Sequence, residues 1–474
     1  MRAKKRVGAH PLTVVGNLWR VMFLVVVPVL RGFFLALGGN LADWAEGAWL
    51  DILILLVMVG IAVLRWRAIA IWWDQTHLRL RRGLIVSTQT QIPWEKIATI
   101  SAVESFYLRP LRAVRLRVDV MGGSGRRPDF AVLLSRKTAE EILARQGSSP
   151  AREEHFRPGR WSILAFSMLG SNSLAGIVFA ATFISQSGRL LGQELAGGLI
   201  NAFEQATRAM TIGILPPAAS AIAYALLAGW VIGFLQHFIR YRGMQVELTG
   251  DQLQIKGGKL TRRAYHVCRD CIGYLDIRQS LTARLFGLYS LYISAVGYGR
   301  RKDDLSCLIP TEKGPAFEAA CARLFPKMAP APRSLAPHKK GAMGFVAPGI
   351  FACLGVAWLT LNALLLVRGW ATFILFVGGM AALPALYFLA VRIADFRTGG
   401  IGVEDGVYTL RYSKGFCLHT VLIPADKVVQ VQLRQSFFQR KKMRCDLIFF
   451  TRAEKKSPHL LRNLPVEGAR NYLP

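Results

Sequence analysis

Acidic residues are scarce in this chain: 29 Asp and Glu stand against 60 Lys and Arg, a formal charge of +31 over 474 residues. So large an excess must sit against an anionic membrane face, nucleic acid or acidic partners. With 52% hydrophobic residues, the chain is too apolar to be disordered or to solvate nucleic acid. Cysteines number seven, an odd count without regular spacing, which excludes a disulfide framework and points to a reducing compartment. Motifs that carry chemistry are missing too. There is no Walker loop, no Gly-x-Ser-x-Gly elbow and no dinucleotide fingerprint, and no two histidines share ligand spacing on one helix. Cys268-x-x-Cys271 has no second ligand pair and reads as structural. His266 and His419 read as surface or strand residues, and Gly122-Gly123-Ser124-Gly125 ahead of Arg126-Arg127 reads as a flexible hairpin. The expectation is a non-enzyme with no catalytic residue, metal or cofactor.

Long apolar runs are abundant. Six occur, near 18–38, 48–64, 161–184, 212–239, 344–367 and 370–391, each of about the length that crosses a bilayer as helix. They come as three pairs. Arg31 interrupts the first, at a cost of about 2.5–3.5 kcal/mol, but twelve Val, Leu or Phe residues between Val21 and Leu37 outweigh it, and the arginine is read as reaching toward the nearer interface. No small-x-small cleavage site follows, so this run is read as retained. The connections within the pairs hold few basic residues and nearly all remaining Lys and Arg lie on the other side, which puts the N-terminus and the three large polar segments in the cytoplasm. Leu191, Leu195, Leu199, Phe203 and Met210 fall near helical spacing, for a helix lying flat on the outer surface or packed on the bundle.

The polar segments are copies of one another. At a constant offset of 175, Leu78 meets Leu253, Gly83 meets Gly258, Ile97 meets Ile272, Ser105 meets Ser280, Arg109 meets Arg284 and Gly122 meets Gly297. At an offset of 331, Ile92-Pro93 meets Ile423-Pro424, Lys96 meets Lys427, and Ser105, Phe106 and Arg109 meet Ser436, Phe437 and Arg440. The repeating unit is a helical hairpin followed by one polar domain. Apolar residues alternate within the domains, as in Leu116, Val118 and Val120, which indicates half-buried strands, and Gly250-Asp251 and Asp405-Gly406 mark hairpin tips. Lys137 to Gln146 and Thr311 to Phe325 read as closing helices, the second opened by a Thr cap, and Pro465 to Leu473 allows only a short one. The expected division is hairpins within 1–72, 161–242 and 344–394, domains over 73–147, 243–326 and 395–474, and linkers over 148–160 and 327–343.

Leu78-Arg79-Leu80-Arg81-Arg82-Gly83-Leu84, Ile92-Pro93-Trp94-Glu95-Lys96-Ile97, Val246-Glu247-Leu248-Thr249-Gly250-Asp251 and Arg284-Leu285-Phe286-Gly287-Leu288 resemble the bacterial pleckstrin-homology-like (PH-like) membrane proteins of the YdbS/YdbT kind over nearly the whole chain. The resemblance implies an α+β membrane protein, with six transmembrane helices in three hairpins. After each hairpin comes a cytoplasmic PH-like sandwich or bent barrel of about seven strands with a C-terminal helix. It also implies a role in the cell envelope, in its maintenance or in resistance to membrane-active peptides. The Arg-x-Phe-Gly-Leu element survives only in the second copy, becoming Arg109-Pro110-Leu111-Arg112-Ala113 in the first and Arg440-Lys441-Lys442-Met443-Arg444 in the third, so no shared ligand site is assumed.

Basic clusters are the candidate site: Arg109 and Arg112, with Arg115 and Arg117 beside them; Arg284, with Arg300, Arg301 and Lys302; and Arg440, Lys441 and Lys442, with Arg444. Held near an inner leaflet, each such charge gains about 1 kcal/mol from anionic headgroups. The expected partners are therefore an anionic phospholipid membrane and a protein partner or second copy. Nucleic acid is not expected, because the runs lack a recognition helix or stacking aromatics. The rival reading is a component of a membrane transport or export system, with Arg31, Asp51 and Asn172 lining a path between hairpins.

Overall fold

The structure, a computed structural model, describes residues 6–16, 18, 41–122, 128–146, 153–170, 217–299, 304–452 and 458–473. Of the twenty strands among these residues, eighteen fall into three successive units of six. The first holds β2 (Ala70–Trp73), β3 (His77–Arg82), β4 (Thr88–Pro93), β5 (Ile97–Glu104), β6 (Ala113–Val120) and β7 (Phe130–Ser135), followed by α2 (Arg136–Gln146). The second holds β9 (Gln245–Thr249), β10 (Gln252–Gly257), β11 (Arg262–Cys268), β12 (Ile272–Ser280), β13 (Leu288–Ala295) and β14 (Cys307–Lys313), followed by α6 (Gly314–Leu324). The third holds β15 (Gly400–Glu404), β16 (Val407–Lys414), β17 (Cys417–Pro424), β18 (Val428–Arg434), β19 (Arg444–Thr451) and β20 (His459–Pro465), followed by α10 (Val466–Arg470). Each unit is two three-stranded meanders around an apolar core; Leu78, Leu80, Ile100, Leu116 and Phe130 are sealed inside the first.

The expected self-contained sandwich is corrected in one respect. The second meander of one unit and the first meander of the next form a single sheet. One sheet runs β7-β6-β5-β11-β10-β9-β8 and another β14-β13-β12-β17-β16-β15, where β8 is Glu153–Phe156. The seams are antiparallel: β5 pairs β11 with Ile100 opposite His266, and β12 pairs β17 with Leu275 opposite Leu422. Subtracting the repeat offsets of 175 and 331 shows that both seams have one register, position 100 against position 91. Side chains alternate faces along a strand, so this register keeps the same face inward in both seams.

The linkers are also more ordered than expected. A segment well ahead of each unit lays an edge strand or bridge on it. β1 (Val7–Gly8) pairs β2, β8 pairs β9, and Leu335 bridges Ile401 of β15. In the first and third units the same strap crosses to the far edge, where His10 N–H donates to the Leu133 carbonyl of β7 and His338 N–H to the Asn463 carbonyl of β20. Thr311, expected to cap a helix, lies inside β14 with its hydroxyl 3.2 Å from that of Ser290, and the helix starts three residues later at Gly314, with Pro315 in its first turn.

Two helices among the described residues, not six, qualify as membrane spans by length and composition: α7 (Ala342–Leu366) and α8 (Ala371–Thr398). Almost none of their apolar surface is buried, with Phe351, Trp358 and Leu366 facing outward, so they are not the core helices of a soluble domain. They pack closely where small residues allow it. A Cβ on Gly349 would come 2.8 Å from the Leu389 backbone. Helices also occupy two other expected stretches, α1 (Leu41–Arg67) and α4 (Pro217–Tyr241). The run near 18–38 beyond Leu18, the outer-surface residues Leu191 to Met210 and most of the run near 161–184 lie outside the described residues; α3 (Arg160–Gly170) covers the start of the last.

A buried polar cluster fixes α8 to its unit. Arg392 donates from Nε to the Phe345 carbonyl at 3.1 Å, and from a terminal nitrogen to Asp395 at 3.0 Å and to the Ser413 hydroxyl of β16 at 2.8 Å. Ser413 in turn donates to Asp395 at 2.7 Å.

Candidate functional site

Arg109 and Arg112, Arg284, and Arg440, Lys441 and Lys442 sit in one place in their units, the connection between the fourth and fifth strands: β5–β6, β12–β13 and β18–β19. In the second and third units it is a short helix, α5 (Leu281–Leu285) and α9 (Phe437–Arg440), capped by the aligned serines Ser280 and Ser436. The backbone then turns through a left-handed residue at one repeat position: Arg112 (φ 50°), Gly287 (φ 62°) and Met443 (φ 50°). The loss of Arg-x-Phe-Gly-Leu in two copies therefore changed the residue but not the turn.

Exposed aromatic and aliphatic side chains flank the charges. Phe106 and Tyr107 lie by Arg109 and Arg112; Leu285, 82% exposed, and Phe286 follow Arg284; Phe437 and Phe438 precede Arg440, with Lys441 Nζ 4.7 Å from the Phe437 ring centre. A second apolar tip joins them. The hairpins β3–β4, β10–β11 and β16–β17 put Ile85, Leu260 and Phe416 at one repeat position, and Ile85 is 96% exposed. Gly83 and Gly258 make two of these tips possible, since φ of +111° and +91° suits only glycine there. Phe416 lies against Tyr387 and Phe388 of α8, and the Leu281 N–H donates to the Tyr387 hydroxyl at 3.0 Å. Both loops thus reach the last apolar turns of a membrane-span helix, the level at which amphipathic aromatics meet headgroups.

A groove opens beneath each seam. The first, about 590 Å³, is lined by Glu104, Arg136, Lys256, Arg262, Arg263 and His266, among others. Two of its cations are paired: Arg136 lies 3.9 Å from Glu104 and 2.8 Å from Glu140, and Lys256 lies 3.0 Å from Glu247. The second, about 460 Å³, holds Arg284, Arg333, Arg397, Arg411 and His419, with Gln279 where the first has Glu104. Among the described residues, no carboxylate pairs with any of its four arginines. Arg411 donates to the Ala331 carbonyl while its other terminal nitrogen is buried without a partner, and burial together with the Arg333 charge pushes its pKa down. Arg333 donates to the carbonyls of Arg397 and Gly399, which anchors the cluster to the end of α8. Positive charge gathered in this way favours a multivalent anion.

His266 and His419 correct the sequence reading: both are strand residues, but both are buried at the seams. His419 donates to Asp276, which also accepts from Arg278 Nε at 2.7 Å. Burial favours the neutral acid, yet the hydrogen bond and charges of His419 and Arg278 prevail and hold Asp276 below the usual carboxylate range. Burial lowers His266 and His459 to about 4. Sequence reasoning missed Asp276 as well as Arg333, Arg397 and Arg411; the only signal for Asp276 was a carboxylate inside the apolar run Leu275-Asp276-Ile277.

Arg300, Arg301 and Lys302 lie outside the described residues, as do Arg31 and Asn172 of the transport reading, and nothing is described of the Asp51 side chain. Cys268 and Cys271 are buried together at the β11–β12 turn, where a hydrogen bond from Cys271 brings the Cys268 thiol down to about 7. Among the described residues there is no group of three or more His, Cys, Asp and Glu that could hold a metal ion.

The bacterial PH domain family matches residues 22–149 and 199–324, more than half of the chain and in two copies, each taking in sequence ahead of the β-unit. The chain belongs to the bacterial PH domain family. A relative within this sequence class is the UPF0699 transmembrane protein YdbT of Bacillus subtilis (strain 168), 21% identical over 327 residues, 63% of this chain. The chain matches 64% of that relative's length. No solved structure matches. As a bacterial PH domain protein with membrane-span helices, the chain is a membrane protein, and the two matched PH domains are the first and second β-units described above.

Proposed function

We propose that the protein is a non-enzymatic, multi-pass protein of the bacterial inner membrane, with three PH-like domains that face the cytoplasm and bind anionic lipid headgroups. Four arginines that have no carboxylate partner among the described residues, gathered in one groove at the end of a membrane-span helix, carry this reading. The apolar loop tips support it, because PH-like domains anchored by helices would press Ile85, Leu260, Phe416 and Phe286 into the interface while the adjacent Arg109, Arg112, Arg284, Arg440, Lys441 and Lys442 meet phosphates. The third domain is assigned from its repeat of the seam, turn and tip positions; six spans in three hairpins follow from α1, α4 and the apolar runs, and the orientation from the bias of Lys and Arg. Such a protein suits maintenance of the envelope, including resistance to membrane-active peptides.

The test is lipid binding by the full-length protein in nanodiscs of phosphatidylcholine with graded phosphatidylglycerol or cardiolipin, read by native mass spectrometry. Expected is retention of anionic lipid that falls with salt and is lost on Arg333→Gln with Arg411→Gln. Equal retention of zwitterionic and anionic lipid by the wild-type protein would sink the proposal.

A further inference from the structure

Each unit has edges that must be covered, because an unpaired strand offers a row of backbone donors and acceptors to any passing strand. The strap well ahead of each unit covers the edge at β2, β9 and β15, and the preceding unit covers the edge at β11 and β17. Among the described residues, two strands at the seam-forming repeat positions have no partner strand on their outer side, β4 in the first unit and β18 in the third, at opposite ends of the array. They occupy the repeat positions of the two strands that join at each seam.

We propose that these two ends join between copies: β18 of one protein pairs antiparallel with β4 of the next, continuing the array head to tail. The occupant is a second copy of this chain, because the surface continues an interface already made twice. Carried over, the register of those seams puts Gln430 opposite Ile92, Val431 opposite Gln91, Gln432 opposite Thr90, Leu433 opposite Gln89 and Arg434 opposite Thr88.

Three observations carry the proposal. First, β18 has the apolar content of a seam strand without its cover. Ile100 and Leu275 are 0% and 1% exposed at the first two seams, whereas their counterpart Val431 is only partly buried and Val429 beside it is 67% exposed. Second, neither edge is defended. Natural edges are blunted by charge, yet Thr88-Gln89-Thr90-Gln91-Ile92-Pro93 has none and β18 has only its last residue, Arg434. Third, the features that would seem to end pairing do not. The irregularity at Val428 recurs at Ile97 and Ile272, and Pro93 recurs as Pro424, all in strands that do form seams. Joining would also build a third groove from two copies, with Arg440 of one at the place of Arg284 and Arg81 of the next at the place of Lys256 and Tyr412. The contact is heterologous, so copies form a ring or an open row in the membrane plane.

The test is cysteine cross-linking of full-length protein in native membranes, with wild type as the control for its own seven cysteines. Two differently tagged copies, one with Gln432→Cys and the other with Thr90→Cys, should give a mixed dimer on mild oxidation, and a chain with both substitutions should give a ladder. The pair Gln430→Cys and Thr88→Cys, four residues out of register, should give about tenfold less, because a disulfide needs Cβ atoms within about 4.5 Å. Photobleaching step counts on the otherwise unmodified, fluorescently tagged protein should show clusters that a Thr90→Lys, Gln432→Lys variant reduces to single copies. Single copies in the wild type, a double-cysteine chain that closes only on itself, equal yields in both registers, or cross-linking to a different protein would each overturn the proposal.

Discussion

His419 of β17 donates to Asp276 of β12 at 2.9 Å across the seam between the second and third units, and Arg278 neutralises the same carboxylate from the other side. Asp276 belongs to the second unit and His419 to the third. The bond therefore reports on whether two units are joined, which no contact inside one unit does. Arg278 also stacks on Tyr292, 3.9 Å from the ring centre, and Tyr412 stacks on His419, so the charges are enclosed by aromatic faces.

Asp276→Ala should destabilise the protein by about 1–3 kcal/mol, because it takes the acceptor from the buried His419, while Arg278, 41% exposed, keeps contact with water. The loss should appear as a lower unfolding midpoint in detergent. An unchanged midpoint would show that the seam does not depend on this pair.

Stability should fall on acidification. His266 and His459 have folded pKa values lowered to about 4 from 6.5, so the unfolded chain binds more protons between those values. Their contribution is whole above about pH 6.5 and disappears as pH falls toward 4, with roughly 2 kcal/mol each lost between pH 7 and 5. Asp276, held down, adds stability above the unfolded carboxylate pKa that is lost at still lower pH as it protonates. Unfolding midpoints from pH 8 to 4, with His459→Phe as the comparison, should show the first decline reduced in the variant.

Gln279→Glu should place in the second groove the carboxylate that Glu104 supplies to the first. Anionic-lipid retention should fall by roughly fivefold or more, at little cost in stability. Undiminished retention would separate the groove from lipid binding.

Met443→Gly should stabilise the third unit by about 0.5–1 kcal/mol, since a left-handed φ strains a side chain and Gly287 already occupies the equivalent turn. Chemical denaturation of the full-length variant measures it. Destabilisation would mean that the exposed Met443 side chain makes contacts worth more than the relief.

Dyes at Ile85→Cys and Leu260→Cys should be quenched by interfacial spin-labelled lipid, whereas a dye at Asp405→Cys should not. Asp405 is at the other end of β16 from Phe416, about 27 Å away along eight residues. Equal quenching at all three sites would reject the membrane-facing assignment of the tips.

The sequence by itself determined the repeat, the paired apolar runs, the hairpin tips at Gly250-Asp251 and Asp405-Gly406, and the placing of Arg109, Arg284 and Arg440 at one equivalent position. These follow from local rules of hydrophobic period, turn chemistry and register between copies, each written in neighbouring residues. Only the tertiary structure decided that Ile100 faces His266 and Leu275 faces Leu422, that segments far ahead in the chain pair with β2, β9 and β15, and that Arg284, Arg333, Arg397 and Arg411 share a groove. Pairing between distant strands is made by backbone groups that every residue carries alike, so side chains disclose that a strand exists but not which strand lies beside it.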